Sequence, residues 1–128
     1  MIHLDTSVLV DAFTGPKRSA QALRAAIADG ERMTMSTLVL YEWRRGPRIQ
    51  PELDAQQILL PIESAVPFDS TIALRAAELY SKVRRARGRE LDLAIAASAV
   101  VHGASLWTLN RTDFHDIPGL DLYAGDAR

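Results

Sequence analysis

The chain contains no cysteine, which removes disulfides, thiolate metal sites and cysteine nucleophiles together. No apolar run approaches the roughly 20 residues that span a bilayer. No basic start is followed by a long apolar stretch either, so no secretory signal is expected and the cytoplasm is the simplest compartment. The net charge of −1 denies the whole molecule the positive field of a typical nucleic-acid binder. Internal repeats, low-complexity tracts and linkers are absent as well. Lysine is scarce: of fifteen basic residues only Lys17 and Lys82 are lysines. What remains is a chain of 128 residues that is 48% hydrophobic, too apolar for disorder and long enough to bury a core as one domain, residues 1–128.

The arginines are unevenly spread. Lys82, Arg84, Arg85, Arg87 and Arg89 form one basic group, and Arg44, Arg45 and Arg48 a second. Around them short apolar runs alternate with helical patterns. Ile2 to Leu4 predicts a buried strand, with Thr6-Ser7 as the N-cap of a helix carrying Val8, Leu9 and Ala12. Gly15-Pro16 breaks that helix, and Ser19 caps a second one that Gly30 ends. Met33 to Met35 predicts a strand, and Ser36 or Thr37 caps a helix over 38–45, stopped by Gly46-Pro47. Pro51 suits a helix start before 52–60. Residues 61–68 are expected to be extended, with Pro67 arguing for an edge or loop-like strand.

Asp69 then caps a long helix whose buried face carries Ile72, Ala76, Leu79, Tyr80 and Val83. Residues 85–90 make a charged connection. Residues 91–102 are apolar nearly all round, which marks a buried helix ended by Gly103. A strand over 104–109, a turn over 110–114 and a last strand over 120–123 complete the chain. This alternation predicts an α/β fold: a mainly parallel sheet with right-handed crossovers between helical layers, three layers α/β/α.

Four acids are poorly explained by solvation or by an exposed helix face. Asp5 follows the first strand, where open α/β sheets leave a ligand crevice. Glu42 interrupts the apolar helix Leu38-Val39-Leu40-Tyr41-Glu42-Trp43. Asp92 lies in the first turn of the buried helix, whose N-terminal N–H groups and dipole should keep it ionised. Asp113 follows the strand that ends at Leu109. Each alone has an ordinary reading as a cap, a partly exposed acid or a turn residue.

Brought together, they would call for a cation. Two carboxylates ~4.5 Å apart repel by roughly 3–4 kcal/mol at an effective dielectric of about 20, and several would raise one another's pKa values. Oxygen donors without His or Cys favour Mg²⁺ or Mn²⁺ over Zn²⁺. Such a site can acidify a bound water and clamp a phosphodiester for in-line hydrolysis.

Asp5-Thr6-Ser7-Val8-Leu9, Tyr41-Glu42-Trp43-Arg44-Arg45-Gly46, Asp92-Leu93-Ala94-Ile95-Ala96-Ala97 and Thr108-Leu109-Asn110-Arg111-Thr112-Asp113-Phe114 occur in this order. The set resembles the successive motifs of PIN-domain ribonucleases, most nearly the VapC-type toxins of toxin–antitoxin pairs. It covers essentially the whole chain, and Ile117-Pro118-Gly119-Leu120 is similar to the family's end pattern. The resemblance implies Mg²⁺- or Mn²⁺-dependent cleavage of RNA, a homodimer, and neutralisation by a VapB-type antitoxin. It implies Asp5 and Asp92 as principal metal ligands, completed by Glu42 and Asp113 directly or through water. Thr6 and Thr108 would orient carboxylates or waters, and Asn110 would support the loop carrying Asp113. Trp43 departs from the pattern, since a smaller aliphatic residue is common there, and raises a question about packing beside Glu42.

The basic run holding Lys82, Arg85, Arg87 and Arg89 adjoins Asp92, and Arg44 and Arg45 adjoin Glu42. Both groups could hold RNA phosphates, equally well be solvated helix ends, or contact the antitoxin. His3, His102 and His115 lack metal-ligand spacing, and His3 is expected to be buried and hydrogen-bonded. Asp11 reads as a surface acid, Asp116 as a turn residue, and Trp43, Trp107 and Tyr80 as packing residues. Two other functions compete. A phosphoacceptor receiver domain would need an Asp ending a central strand and a late Lys, but Asp54 lies in a polar helical stretch and Lys82 is the later of two lysines. A catalytically silent PIN fold that binds RNA or protein is the stronger rival.

Overall fold

The structure, a computed structural model, describes residues 1–124. Of the expected domain span 1–128, residues 125–128 lie outside the described residues. Four short strands, β1 (Ile2–Leu4), β2 (Met33–Thr34), β3 (Ser105–Trp107) and β4 (Asp121–Leu122), form one parallel sheet in the order β2-β1-β3-β4. Parallel neighbours need long crossovers. Here they are supplied by six α-helices: α1 (Thr6–Phe13), α2 (Ala20–Ala28), α3 (Thr37–Arg45), α4 (Gln50–Leu59), α5 (Ser70–Lys82) and α6 (Glu90–Val101). This is the predicted α/β architecture of a parallel sheet flanked by helices. Among the described residues no helix is long and apolar enough to cross a membrane.

Local chemistry sets most boundaries. Ser36 Oγ accepts the Val39 N–H at 3.2 Å and so caps α3, and Asp69 Oδ1 accepts the Ile72 N–H at 2.9 Å and caps α5. Gly103 adopts φ 63° just past α6, a left-handed turn that costs glycine little. The α6 sequence has no polar stripe because every residue from Leu93 to Ala99 is buried, with the helix packed on β3, α3 and α5. Full burial of Leu93 or Ile95 contributes about 1.5–3 kcal/mol each. That rigid seat fixes where the first turn of α6 points.

Trp43 is fully buried rather than disruptive. Its indole N–H donates to Gln56 Oε1 at 3.3 Å, and the fully buried Gln56 amide donates onward to Leu60 O at 2.7 Å. Phe13 packs at 5.8 Å between ring centroids, and the Arg48 guanidinium lies 4.2 Å over the Trp43 ring. The large residue is accommodated because its one polar atom has a partner.

Several expectations need correcting. Residues 61–68 do not form a strand. Ile62–Ser64 is a 3₁₀ turn, and the segment meets the sheet edge through the Ser36–Val66 bridge and the Thr34 Oγ1 hydrogen bond to Ser64 O at 3.1 Å; Pro67 offers no N–H to extend the pairing. α1 begins at Thr6 with Asp5 in the N-cap position, and the Asp5 side chain makes no capping bond. Tyr80 is 42% exposed and so does not belong to the buried face of α5. His3 is buried as expected, yet neither ring nitrogen has a hydrogen-bond partner among the described residues. Burial, then the His102 ring 5.8 Å away, lower its pKa to about 4, so it stays a neutral packing residue.

Register then builds the site. Leu4 pairs with Trp107, so the next residues, Asp5 and Thr108, leave adjacent strands side by side. The Asp5 N–H still reaches Trp107 O at 2.9 Å. Because β1 lies between β2 and β3, strand order reverses at this point, and the carboxyl ends of β1 and β3 open a crevice.

Candidate active site

Asp5 is 4% exposed, and its Oδ2 accepts two hydroxyls, Ser7 Oγ at 2.9 Å and Thr108 Oγ1 at 2.7 Å. Each hydroxyl oxygen in turn accepts a backbone N–H from the loop after β3. Leu109 donates to Ser7 Oγ and Asn110 to Thr108 Oγ1, both at 3.0 Å. Hydrogen bonds to an ionised acceptor are the strong class. This relay fixes the carboxylate without adding positive charge, and among the described residues Oδ1 receives no hydrogen bond. The ordinary reading of Asp5 as a helix cap is thereby removed.

Glu42 faces the same crevice from α3. Its Oε1 accepts Thr6 Oγ1 at 2.6 Å, so Thr6, next to Asp5 in sequence, serves a different carboxylate. Arg45 Nη2 stands 3.8 Å from Glu42 Oε2, but Arg45 is 56% exposed and such pairs are weak. Asp5, Thr6, Ser7, Asp11, Glu42, Asp92 and Asn110 line one recess of about 420 Å³.

Asp92, in the first turn of α6, belongs to that recess and to a neighbouring one of about 470 Å³. Asp113 lines the second, on the 3₁₀ turn Arg111–Asp113, together with Arg84, Arg85, Arg89, Thr112 and Asp116. The Asp92 carboxyl is raised to about 6, by burial first and then by Asp5, Asp113 and Glu42, with Arg89 pulling the other way. The helix N-terminus was expected to favour the ionised form of Asp92; partial desolvation and the neighbouring Asp5, Asp113 and Glu42 oppose it and leave the carboxyl raised. Three of the sequence-predicted acids, Asp5, Glu42 and Asp113, therefore act on the fourth, Asp92, although all come from distant parts of the chain.

The donor chemistry suits a hard divalent cation, with oxygen ligands and a surplus of negative charge. Among the described residues no three His, Asp or Glu side chains stand together in a coordinating group. Mg²⁺ is commonly held by one or two carboxylates and completes its shell with water and phosphate oxygens.

The candidate RNA contacts divide. Arg85 lines the recess beside Asp92 and Asp113, as does Arg84. Arg45 lies beside Glu42 with its guanidinium 5.3 Å from the Tyr41 ring centroid. Arg44 is turned to Gln56 Oε1 at 3.1 Å, toward α4. Lys82 pairs with Glu78 on the α5 surface at 3.0 Å, and Arg87 is exposed beside Glu90. Arg89 is engaged with Asp116. Sequence reasoning missed Ser7 as an Asp5 partner, having assigned it to a cap; a hydroxyl two residues after a strand-end Asp was the available signal. It also missed the Arg89–Asp116 pair, which residues 27 apart in sequence do not announce.

The pattern of the PIN domain family matches residues 2–120. This chain belongs to the PIN domain family. It is 30% identical over 127 residues to Ribonuclease VapC1 of Methanocaldococcus jannaschii, covering 95% of this chain and 86% of that protein. It is 32% identical over 119 residues to Ribonuclease VapC19 of Mycobacterium tuberculosis, covering 91% and 94%. Among solved structures, this PIN domain resembles VapBC2 from Rickettsia felis bound to a promoter DNA fragment. The TM-score is 0.74 at 24% identity, over 96% of this chain and 98% of that one, a likeness of fold. A toxin–antitoxin complex from Klebsiella pneumoniae gives 0.70 at 26% identity, over 94% and 95%.

Proposed function

We propose that this PIN domain is the toxin of a VapB/VapC-type pair and a Mg²⁺- or Mn²⁺-dependent endoribonuclease. The observation that carries the reading is the shared field: Asp5, Glu42 and Asp113 all raise the Asp92 carboxyl. The VapC ribonucleases among its relatives support RNA as the substrate, and the VapBC and toxin–antitoxin complexes among its structural neighbours support a VapB-type antitoxin as partner. A homodimer is part of the same reading.

Asp5 and Asp92 would hold the cation, with Glu42 and Asp113 completing the pocket directly or through water. A bound ion would make a water acidic enough to lose its proton and attack phosphorus, and would offset charge growing on the phosphoryl oxygens. The chain's own residues do the rest. Ser7 and Thr108 orient Asp5, Thr6 orients Glu42, and Arg84 and Arg85 stand where flanking RNA phosphates would lie beside Asp92.

The lack of a ready coordinating group among the described residues is what favours the rival, a silent PIN fold that binds RNA or protein. Cleavage ends mapped across total cellular RNA, with Mg²⁺ or Mn²⁺ and with EDTA, separate the two. The wild type should cut at discrete sites, EDTA should stop it, and Asp5→Asn should lower the rate beyond the roughly 100-fold typical of losing an outer-shell partner. Cleavage that survives Asp5→Asn sinks the assignment of the site, and no cleavage by the wild type supports the silent fold.

A further inference from the structure

Arg89 occupies the N-cap position of α6, three residues before Asp92. Its guanidinium makes four hydrogen bonds. Nη2 and Nη1 donate to the two Asp116 carboxylate oxygens at 2.6 and 3.0 Å, Nη2 also donates to Asp113 O at 3.0 Å, and Nη1 to Arg84 O at 3.2 Å. The side chain is 21% exposed against 38% for Asp116, so the fork is partly sheltered and its flat face matches the carboxylate. The other hydrogen bonds of the Asp113 loop do not reach α6. Asp113 N–H, Phe114 N–H and His115 N–H are bonded to Asn110 and Arg111 carbonyls, and Arg111 reaches Tyr123 O. Among the described residues, Arg89 is thus the hydrogen-bonded tie between the loop bearing Asp113 and the helix bearing Asp92.

We propose that Arg89 and Asp116 form a clamp that sets the Asp113 carboxylate against Asp92, making Arg89 a positioning residue for cleavage instead of a phosphate contact. This rests on the ribonuclease reading for its activity readout but not for its metal-binding one. The pairing also spends Arg89's charge on an acid at the margin of the site. Asp116 is held below the usual carboxylate range by Arg89, so the clamp stays charged at working pH.

The two roles predict opposite behaviour at Asp116. The test compares the full chain with Arg89→Gln, Asp116→Asn, and the reversed pair Arg89→Asp with Asp116→Arg. It measures kcat and KM on a cleavable RNA, the salt dependence of RNA binding, Mn²⁺ affinity by calorimetric titration, and melting temperature as a check on folding. A clamp predicts that both single variants lose ~10–100-fold in kcat or Mn²⁺ affinity. KM and salt slope should stay unchanged, and the reversed pair should regain much of the loss. A phosphate contact predicts that Arg89→Gln raises KM and reduces the salt slope by about one, while Asp116→Asn leaves cleavage intact or tightens RNA binding; either result overturns the clamp. A lower melting temperature with unchanged kcat and Mn²⁺ affinity overturns it too. If the wild type binds Mn²⁺ but cuts no RNA, the ribonuclease reading fails, and loss of Mn²⁺ affinity in both single variants still upholds the clamp.

Discussion

The two sides of the acidic crevice are held in different ways. On the strand side, Asp5 and Glu42 are oriented by neutral hydroxyls from Ser7, Thr108 and Thr6, backed by N–H groups of the next loop. On the helix side, Asp92 and Asp113 are set by backbone and by the charged Arg89–Asp116 pair. Hydroxyls orient a carboxylate without cancelling its charge. An arginine does both, and here its fork lies on Asp116 instead of on Asp92. The difference teaches that the helix side keeps the Arg89 fork off Asp92 and so preserves negative field where a cation would sit.

The sharpest way to break this comparison is Asp92→Asn. Cleavage should fall beyond ~100-fold, while the metal-free protein should become more stable. The sign follows from the raised carboxyl, about 6 in the folded chain against an ordinary aspartate value of 3.8. The folded state binds the proton more tightly, so the charged form burdens the fold fully above pH 6, and the burden is relieved as pH falls from about 6 toward 3.8. The shift would correspond to about 3 kcal/mol if unscreened; Asp92 is half-buried, which reduces it to ~1 kcal/mol. Melting scans in EDTA should show Asp92→Asn above wild type at pH 7–8 and level with it near pH 4. A wild-type advantage at pH 7 would break the claim of a frustrated carboxyl.

Thr108→Val tests the strand side. It removes a buried donor to Asp5 and the acceptor for Asn110 N–H. We expect a ~10–100-fold loss of cleavage and a cost of about 1–3 kcal/mol in denaturant unfolding. Unchanged rates would mean that hydroxyl orientation is dispensable. The smallest expected effect belongs to Arg85→Ala at the margin of the helix-side recess. It should weaken RNA binding across sequences and reduce the salt slope by about one, with melting unchanged. An unaltered slope would remove Arg85 from the RNA path.

Much of this was legible without coordinates. The four acids stood out because each interrupts an apolar element or ends one, and α6 declared its burial by lacking a polar face. Trp43 could be read as apolar, but not that Gln56 waits for its N–H. The extended reading of residues 61–68 failed because apolar content alone does not distinguish a strand from a 3₁₀ turn between prolines. His3 reads as hydrogen-bonded because buried polar groups nearly always are; that it is neutral and without a hydrogen-bond partner among the described residues depends on neighbours that spacing does not reveal. Arg89 was grouped with its basic neighbours, since charge runs do not tell which guanidinium is already engaged.

By itself the amino-acid order determined the elements, their alternation, and hence the parallel sheet whose strand ends carry Asp5 and Thr108. Those follow from local periodicity, caps and crossovers, which act over a few residues. The tertiary structure alone decided which hydroxyl serves which carboxylate, that Asp92 sits among three like charges, and that Arg89 turns to Asp116. Such pairings join residues tens of positions apart, and their energies depend on distance and burial, quantities that come into being only when the chain has packed.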